Sequence, residues 1–200
     1  MLEIIKKEAN GYGIITNSYI IIDKDTKKTM LIDPIGIDNI INTIKDLNGK
    51  LEYIILTHLH FDHIKDTNAL KKRLGGKVIM HYLDSINVNN PLFNLGSNID
   101  HIDVDIKVND NDYIKLGNNN FKIIHTPGHT KGSISLLCDK YLFSGDTLFK
   151  GTYGRYDLPS GDYNEIINSV NKLLKLPNKV IVYPGHDEIT TIENEKKFYL

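Results

Sequence analysis

Three histidines and an aspartate fall within six positions, His58-Leu59-His60-Phe61-Asp62-His63, directly after an apolar run at residues 51–56. Imidazole and carboxylate without thiolate suit Zn²⁺, and also Fe or Mn. His58 and His60, at i and i+2, point to the same side of an extended chain and can grip one ion. Asp62 and His63 are adjacent, at the start of an expected helix, and diverge toward a second position. Two metals about 3.5–4 Å apart can share a bridging water and lower its pKa to about 7, which creates hydroxide at neutral pH. The chemistry indicated is metal-assisted hydrolysis.

The same arrangement recurs along the chain. Residues 121–124 read as a strand and are followed by His125-Thr126-Pro127-Gly128-His129. Residues 141–143 lead into Ser144-Gly145-Asp146, and residues 180–183 into Pro184-Gly185-His186. Binding sites of α/β sheets collect at the carboxyl ends of strands, so four strand ends can deliver His or Asp into one crevice. A lone histidine is more often a satisfied structural residue, and His81 and His101, outside any motif, are read that way. His125 points opposite Ile124 by strand alternation and is assigned to ligand support or core.

The elements that must position these residues follow from periodicity. Residues 2–7, 13–23 and 29–32 read as strands, with a turn at Asn10-Gly11. Ile37, Ile40, Ile41, Ile44 and Leu47 recur at helical spacing and Gly49 stops them. Residues 63–74 read as a second helix, closed by Gly75-Gly76, and residues 78–80 as a strand. Residues 89–98, rich in asparagine with Pro91 and Gly96, read as a loop whose Leu92, Phe93 and Leu95 suit a lid. Strands follow at 113–116, 121–124, 133–137 and 141–143, then an amphipathic helix through Ile166, Val170 and Leu174 and a strand at 180–183. Two β-rich halves flanked by helices predict an α/β chain with two sheets face to face and helices outside, as one domain over residues 1–200.

Composition narrows the function. A net charge of −1 and scattered Lys and Arg argue against a nucleic-acid groove or a membrane patch. No apolar run approaches the roughly 20 residues of a membrane span. The first residues are too short and too charged for a signal segment, so a cytoplasmic protein acting on a small-molecule substrate is expected. The single cysteine, Cys138, excludes an intramolecular disulfide and a Cys-rich zinc site, and is read as a small core residue.

His58-x-His60-x-Asp62-His63, Thr126-Pro127-Gly128-His129-Thr130, Ser144-Gly145-Asp146-Thr147-Leu148-Phe149 and Pro184-Gly185-His186 resemble, in order, four motifs of metallo-β-lactamase-fold hydrolases. The resemblance implies an αββα sandwich of two mixed β-sheets. It implies two divalent metal ions, zinc foremost with iron or manganese as alternatives. One would be held by His58, His60 and His129, the other by Asp62, His63 and His186, with Asp146 bridging and Asp33 supporting a ligand histidine. Within that superfamily the chain is most similar to short, single-domain members of the glyoxalase II branch, the hydroxyacylglutathione hydrolases. The segment from Gly145 through Lys150, Gly151, Tyr153, Gly154, Arg155 and Asp157 to Gly161-Asp162 carries this likeness, with the ending after Pro184-Gly185-His186. Two departures stand out: the chain ends before the helical domain of larger glyoxalase II enzymes, and Arg155 and Asp157 stand where those offer lysine and tyrosine to glutathione.

The resemblance implies attack by a metal-bridging hydroxide on an acyl thioester, such as a hydroxyacylglutathione. Asp62 would orient the hydroxide and carry its proton. Arg155, Tyr153 and Lys150 would grip an anionic substrate, Arg155 foremost because guanidinium binds carboxylates in a two-pronged way. Arg155 with Asp157 also reads as a plain ion pair. The alternatives are a persulfide dioxygenase with a single iron, a lactonase or other ester hydrolase of the same fold, and a non-enzymatic metal-bound scaffold.

Overall fold

In a computed structural model, which describes residues 1–11, 13–95 and 99–199, strand faces rather than strand number explain the architecture. The first sheet has the order β1 (Leu2–Gly11), β2 (Ile14–Asp23), β3 (Lys28–Ile32), β4 (Lys50–Ile55), β5 (Lys77–His81), β6 (Ile106–Val108). Its first three strands are antiparallel neighbours, and β3 to β6 run parallel. The second sheet contains β7 (Tyr113–Leu116), β8 (Asn119–His125), β9 (Ile134–Cys138), β10 (Tyr141–Gly145), β13 (Ile181–Pro184) and β14 (Thr190–Thr191). A separate hairpin pairs β11 (Leu148–Phe149) with β12 (Thr152–Tyr153).

Side chains alternate across these strands, yet both faces are apolar, as expected of sheets covered on both sides. Tyr19, Ile21, Met30, Ile32, Ile55 and Ile79 face Phe121, Ile123, Leu136 and Phe143 in one cluster between the sheets. Their strand neighbours Ile20, Leu31, Ile54, Leu56, Val78 and Met80 point outward. There they meet Ile40, Ile41 and Ile44 of α1 (Ile37–Asp46) and Leu70 of α3 (Thr67–Leu74). On the far side, Ile124, Leu142 and Val182 pack under Val170, Leu173 and Leu174 of α5 (Tyr163–Leu174) and Ile192 of α6 (Ile192–Tyr199). Burying each such aliphatic side chain contributes about 1.5–3 kcal/mol. The architecture is an αββα sandwich of two mixed sheets. Cys138 is buried in the inter-sheet cluster.

Several boundaries differ from the sequence reading. β1 runs through Gly11, so Asn10 and Gly11, expected in a turn, belong to the strand. The helix expected over 63–74 is two pieces, α2 (Phe61–Ile64) and α3. Asp66 breaks it: its backbone leaves helical geometry (φ −94, ψ 0) and its side chain accepts from Gly36 N at 2.7 Å. Short aspartates compete with the helix in this way. Of the expected loop, residues 96–98 lie outside the described residues. Asn94 Nδ2 donates to Val88 O (3.0 Å), Asn89 brackets Ile102 through its N and O, and Phe93 packs on the outer cluster of the first sheet. None of the described helices is long and apolar enough to cross a membrane.

Candidate metal centre

β3, β4, β8, β10 and β13 all end at one rim of the sandwich, and the residues beyond those ends are the polar ones. His58, His60, Asp62, His63, His129 and Asp146 are buried there, with His186 only part-exposed. Two groups have their ligand-capable atoms within 4.8 Å of one another, His58–His60–His129 and Asp62–His63–His186. Asp146 lies between them: its oxygens are 3.4 Å from His129 Nε2, 3.5 Å from His63 Nε2 and 3.2 Å from His186 Nε2. Close approach requires glycine on both sides of Asp146, one at its carboxylate and one at its backbone carbonyl. A Cβ at Gly185 would lie 2.2 Å from Asp146 Oδ1, and one at Gly154 would lie 1.9 Å from Asp146 O.

The hydrogen bonds around the histidines determine which ring nitrogen is free. Carbonyl and carboxylate oxygens only accept, so a ring nitrogen bonded to one must carry the proton. His63 Nδ1 donates to Asp33 Oδ2 (2.9 Å), His129 Nδ1 to Arg155 O (2.7 Å) and His186 Nδ1 to Ile15 O (2.7 Å). Asp33 extends the scheme to His58. Thr57 Oγ1 donates to Asp33 Oδ2 (2.6 Å) and can then accept from His58 Nδ1 (3.1 Å). Asp33 Oδ1 also accepts from Thr57 N (2.8 Å). A third group, Asp33–His58–His63, is thereby explained as hydrogen bonding rather than ligation.

The lone pairs released by these bonds point at one another. His63 Nε2 and His186 Nε2 are 3.2 Å apart, and His129 Nε2 is 2.9 Å from His60 Nδ1. His58 Nε2 and Asp146 Oδ1 are buried without a hydrogen-bond partner. Burial pushes the His58 imidazole well below its ordinary pKa and His60 down to about 3, which keeps both neutral. Burial also opposes charge on His63, but Asp146, Asp62 and Asp33 together drive its pKa well up. Neutral His58, His60 and His129 in one group, and His63 and His186 beside buried carboxylates that favour positive charge in the other, fit divalent cations in both groups.

Other contacts hold the rim together. Asn17 N donates to Gly185 O (2.7 Å), and Asn17 Nδ2 and Tyr19 Oη both donate to Pro184 O (2.9 and 2.6 Å). These bonds tie β2 to the segment that presents His186. Asp84, in α4 (Tyr82–Ser85), is 1% exposed and ties together the two loops of the three-histidine group. Its oxygens accept from Leu59 N (3.1 Å), Thr130 Oγ1 (2.7 Å) and Gly132 N (2.6 Å). Sequence reasoning missed it because a lone aspartate in a short polar segment carries no motif. Asp84→Asn should cost about 1–3 kcal/mol of stability, since an amide N–H must then face a donor. It should also weaken metal binding by the three histidines more than by Asp62–His63–His186. Urea unfolding and metal affinities at the two groups check both effects.

His81 holds α4 in place. Its Nδ1 accepts from Leu83 N (3.2 Å) and its ring stacks on His125 at 4.2 Å. Burial, then the neighbouring His125, lowers its pKa to about 4. The unfolded chain, with histidine near 6.5, takes up the proton first. Stability from this site is therefore present above about pH 6.5 and lost as pH falls toward 4. His81→Asn keeps an accepting cap, and should flatten the fall in urea midpoint between pH 7 and pH 4.5. An unchanged slope would assign that fall to other groups.

The residues expected to grip substrate are dispersed. Arg155 lines a cavity of about 320 Å³ over the two groups, together with Ile14, Leu95, Phe149 and Leu158. Its guanidinium is bonded to Asp157, whose carboxyl it holds down at about 2. Lys150 Nζ is bonded to Glu188 on the surface. Tyr153 packs toward Tyr199 at 6.3 Å, in the cluster under α5 and α6, and is not among the lining residues. His101 is exposed beside Asp103.

A family model described as the metallo-beta-lactamase superfamily matches residues 11–186. The chain belongs to that superfamily. A hydroxyacylglutathione hydrolase, GloC, of Haemophilus influenzae is 36% identical over 184 residues, covering 86% of each chain. Among solved structures, BLEG-1 B3 metallo-beta-lactamase superposes with a TM-score of 0.88 at 32% identity, covering 96% of this chain and 97% of that one. TTHA1623 in a di-iron-bound form gives a TM-score of 0.82 at 28% identity, covering 97% and 100%. A superfamily of metal-dependent hydrolases thus accounts for both the sandwich and the His/Asp cluster, and its members' names differ in substrate and metal.

Proposed function

We propose that this protein is a two-metal hydrolase that cleaves an acyl thioester. The observation that carries the reading is the position of Asp146, within 3.5 Å of histidines from both donor groups. His58, His60 and His129 would hold one ion and Asp62, His63 and His186 the other, with Asp146 shared. Ions bound there supply Lewis acidity and water acidified to a pKa of about 7. Asp62 lines the cavity and accepts from Thr16 Oγ1 at 3.2 Å, which leaves its other oxygen to orient the attacking water and take its proton. Asp33, Arg155 O and Ile15 O keep the histidine lone pairs aimed inward.

Thioesters suit such a site because the leaving thiolate, with a pKa of about 8.5, needs no strong general acid, and none of the described cavity residues is an evident spare acid. The name of the Haemophilus relative supports the same bond type, while the lactamase name of BLEG-1 makes β-lactams the necessary control. Protein loaded with zinc, iron or manganese is to be assayed against thioesters, lactones, β-lactams and a persulfide with oxygen. Thioester hydrolysis is expected to exceed the other hydrolyses. Oxygen uptake on the persulfide without thioester cleavage, or faster β-lactam cleavage, would overturn the reading.

A further inference from the structure

Apart from the candidate ligands, the cavity is lined by Ile14, Leu95, Phe149, Leu158 and Arg155. Four of these are apolar. Ile14 is 42% exposed and the adjacent Ile15 57%, although β2 buries every position from Thr16 onward. Single exposed aliphatic residues are ordinary, but Ile14 stands with Leu95, Phe149 and Leu158 on the wall of one cavity.

Arg155 is the one lining residue, among those described, with a fixed positive charge. One two-pronged edge of its guanidinium is engaged: Nε lies 2.8 Å from Asp157 Oδ1, and Nη2 lies 2.9 Å from Oδ2. The pair is solvent-exposed, at 61% and 60%, so the bond itself is weak. Its effect on a ligand does not depend on that strength. Whether the pair is closed or open, the carboxylate two residues away cancels the charge that would draw an anion in. An incoming carboxylate must also displace Asp157 to use the Nε/Nη2 edge, or else bind the remaining edge of a guanidinium whose charge is already neutralised. Lys150, the next nearest cation in the segment, is held by Glu188 in the same way.

We propose that Asp157 determines specificity by cancelling the charge of Arg155, so that the cavity selects uncharged thioesters with apolar groups over anionic ones such as glutathione conjugates. The inference rests on the thioester reading and narrows its substrate class.

Two probe pairs test it on zinc-loaded protein. S-butanoyl-N-acetylcysteamine, uncharged, and S-butanoylglutathione, anionic, are compared as substrates. The corresponding S-butyl thioethers, which cannot be hydrolysed, are compared as ligands by calorimetry. The wild type is expected to favour the uncharged member of each pair by about tenfold or more. Asp157→Asn should shift that preference about tenfold toward the glutathione member, through KM and Kd rather than kcat, and the shift should shrink in high salt. Asp157→Ser serves the same purpose if the first variant folds poorly. A wild type that favours glutathione or shows no preference, or a variant with the wild-type ratio, would overturn the proposal. If neither thioester is cleaved, the thioester reading fails while thioether binding still decides the question of charge.

Discussion

Asp146→Asn should lower thioester hydrolysis by at least about a thousandfold while leaving the fold intact. The carboxylate stands within 3.5 Å of His63, His129 and His186, and Asp146 is almost completely buried. Burial works against its charge, but His63 and then His186 outweigh burial and hold its pKa well below the usual carboxylate range. An amide keeps the shape and loses that charge, and one of its faces turns N–H toward a site built from lone pairs. Metal activation contributes several kcal/mol of transition-state stabilisation, and about 4 kcal/mol corresponds to a thousandfold in rate. Metal content by mass spectrometry, read beside turnover and circular dichroism, should show less bound metal on a folded chain. Wild-type metal content and turnover in this variant would remove Asp146 from the scheme.

Asp33→Asn, at a residue that faces no substrate, should be nearly as damaging. Asp33 receives Thr57 N, Thr57 Oγ1 and His63 Nδ1, and through Thr57 it also sets the tautomer of His58. Its backbone has a left-handed φ of 47°, which asparagine tolerates, so the substitution tests the side chain alone. If the new amide N–H faces His63 Nδ1, the ring must accept there and carry its proton on Nε2, where it cannot bind metal. Loss of an outer hydrogen-bond partner of this kind weakens metal affinity by about 10- to 100-fold. Hydrolysis at limiting metal should fall at least as far and recover partly with excess metal. A fall that added metal leaves untouched would point to general unfolding instead. Asp33→Ala is expected to unfold more easily, by about 3–5 kcal/mol, because it strips the partner from a buried histidine–carboxylate pair.

Much of this arrangement was readable from residue order because strands buried on both faces write themselves as largely apolar runs. Residues 51–56, 121–124, 141–143 and 180–183 are each followed within three positions by His or Asp (His58, His125, Asp146 and His186), and polar residues following such a run sit at a sheet's rim. What escaped notice depends on chain pairings with no local signature. Arg155 O and Ile15 O orient two histidines as backbone carbonyls, which any residue type could supply. Asp84 works through Leu59, Thr130 and Gly132, up to 48 residues away. The partner that occupies Lys150 is Glu188, 38 positions on. α6 and the edge strands β6 and β14 are short or polar, so their periodicity is faint, and Tyr153 resembles a substrate contact until α5 and α6 are seen beside it.

The proposed hydrolysis depends on two ions held by His58–His60–His129 and Asp62–His63–His186 with Asp146 between. Titration of chelator-treated protein with zinc, while cleavage of an acyl thioester is followed, reads that dependence. Cleavage should be absent without metal, rise with each addition and saturate at two equivalents per chain. Full turnover in the metal-free protein, or saturation at a single equivalent, would contradict it.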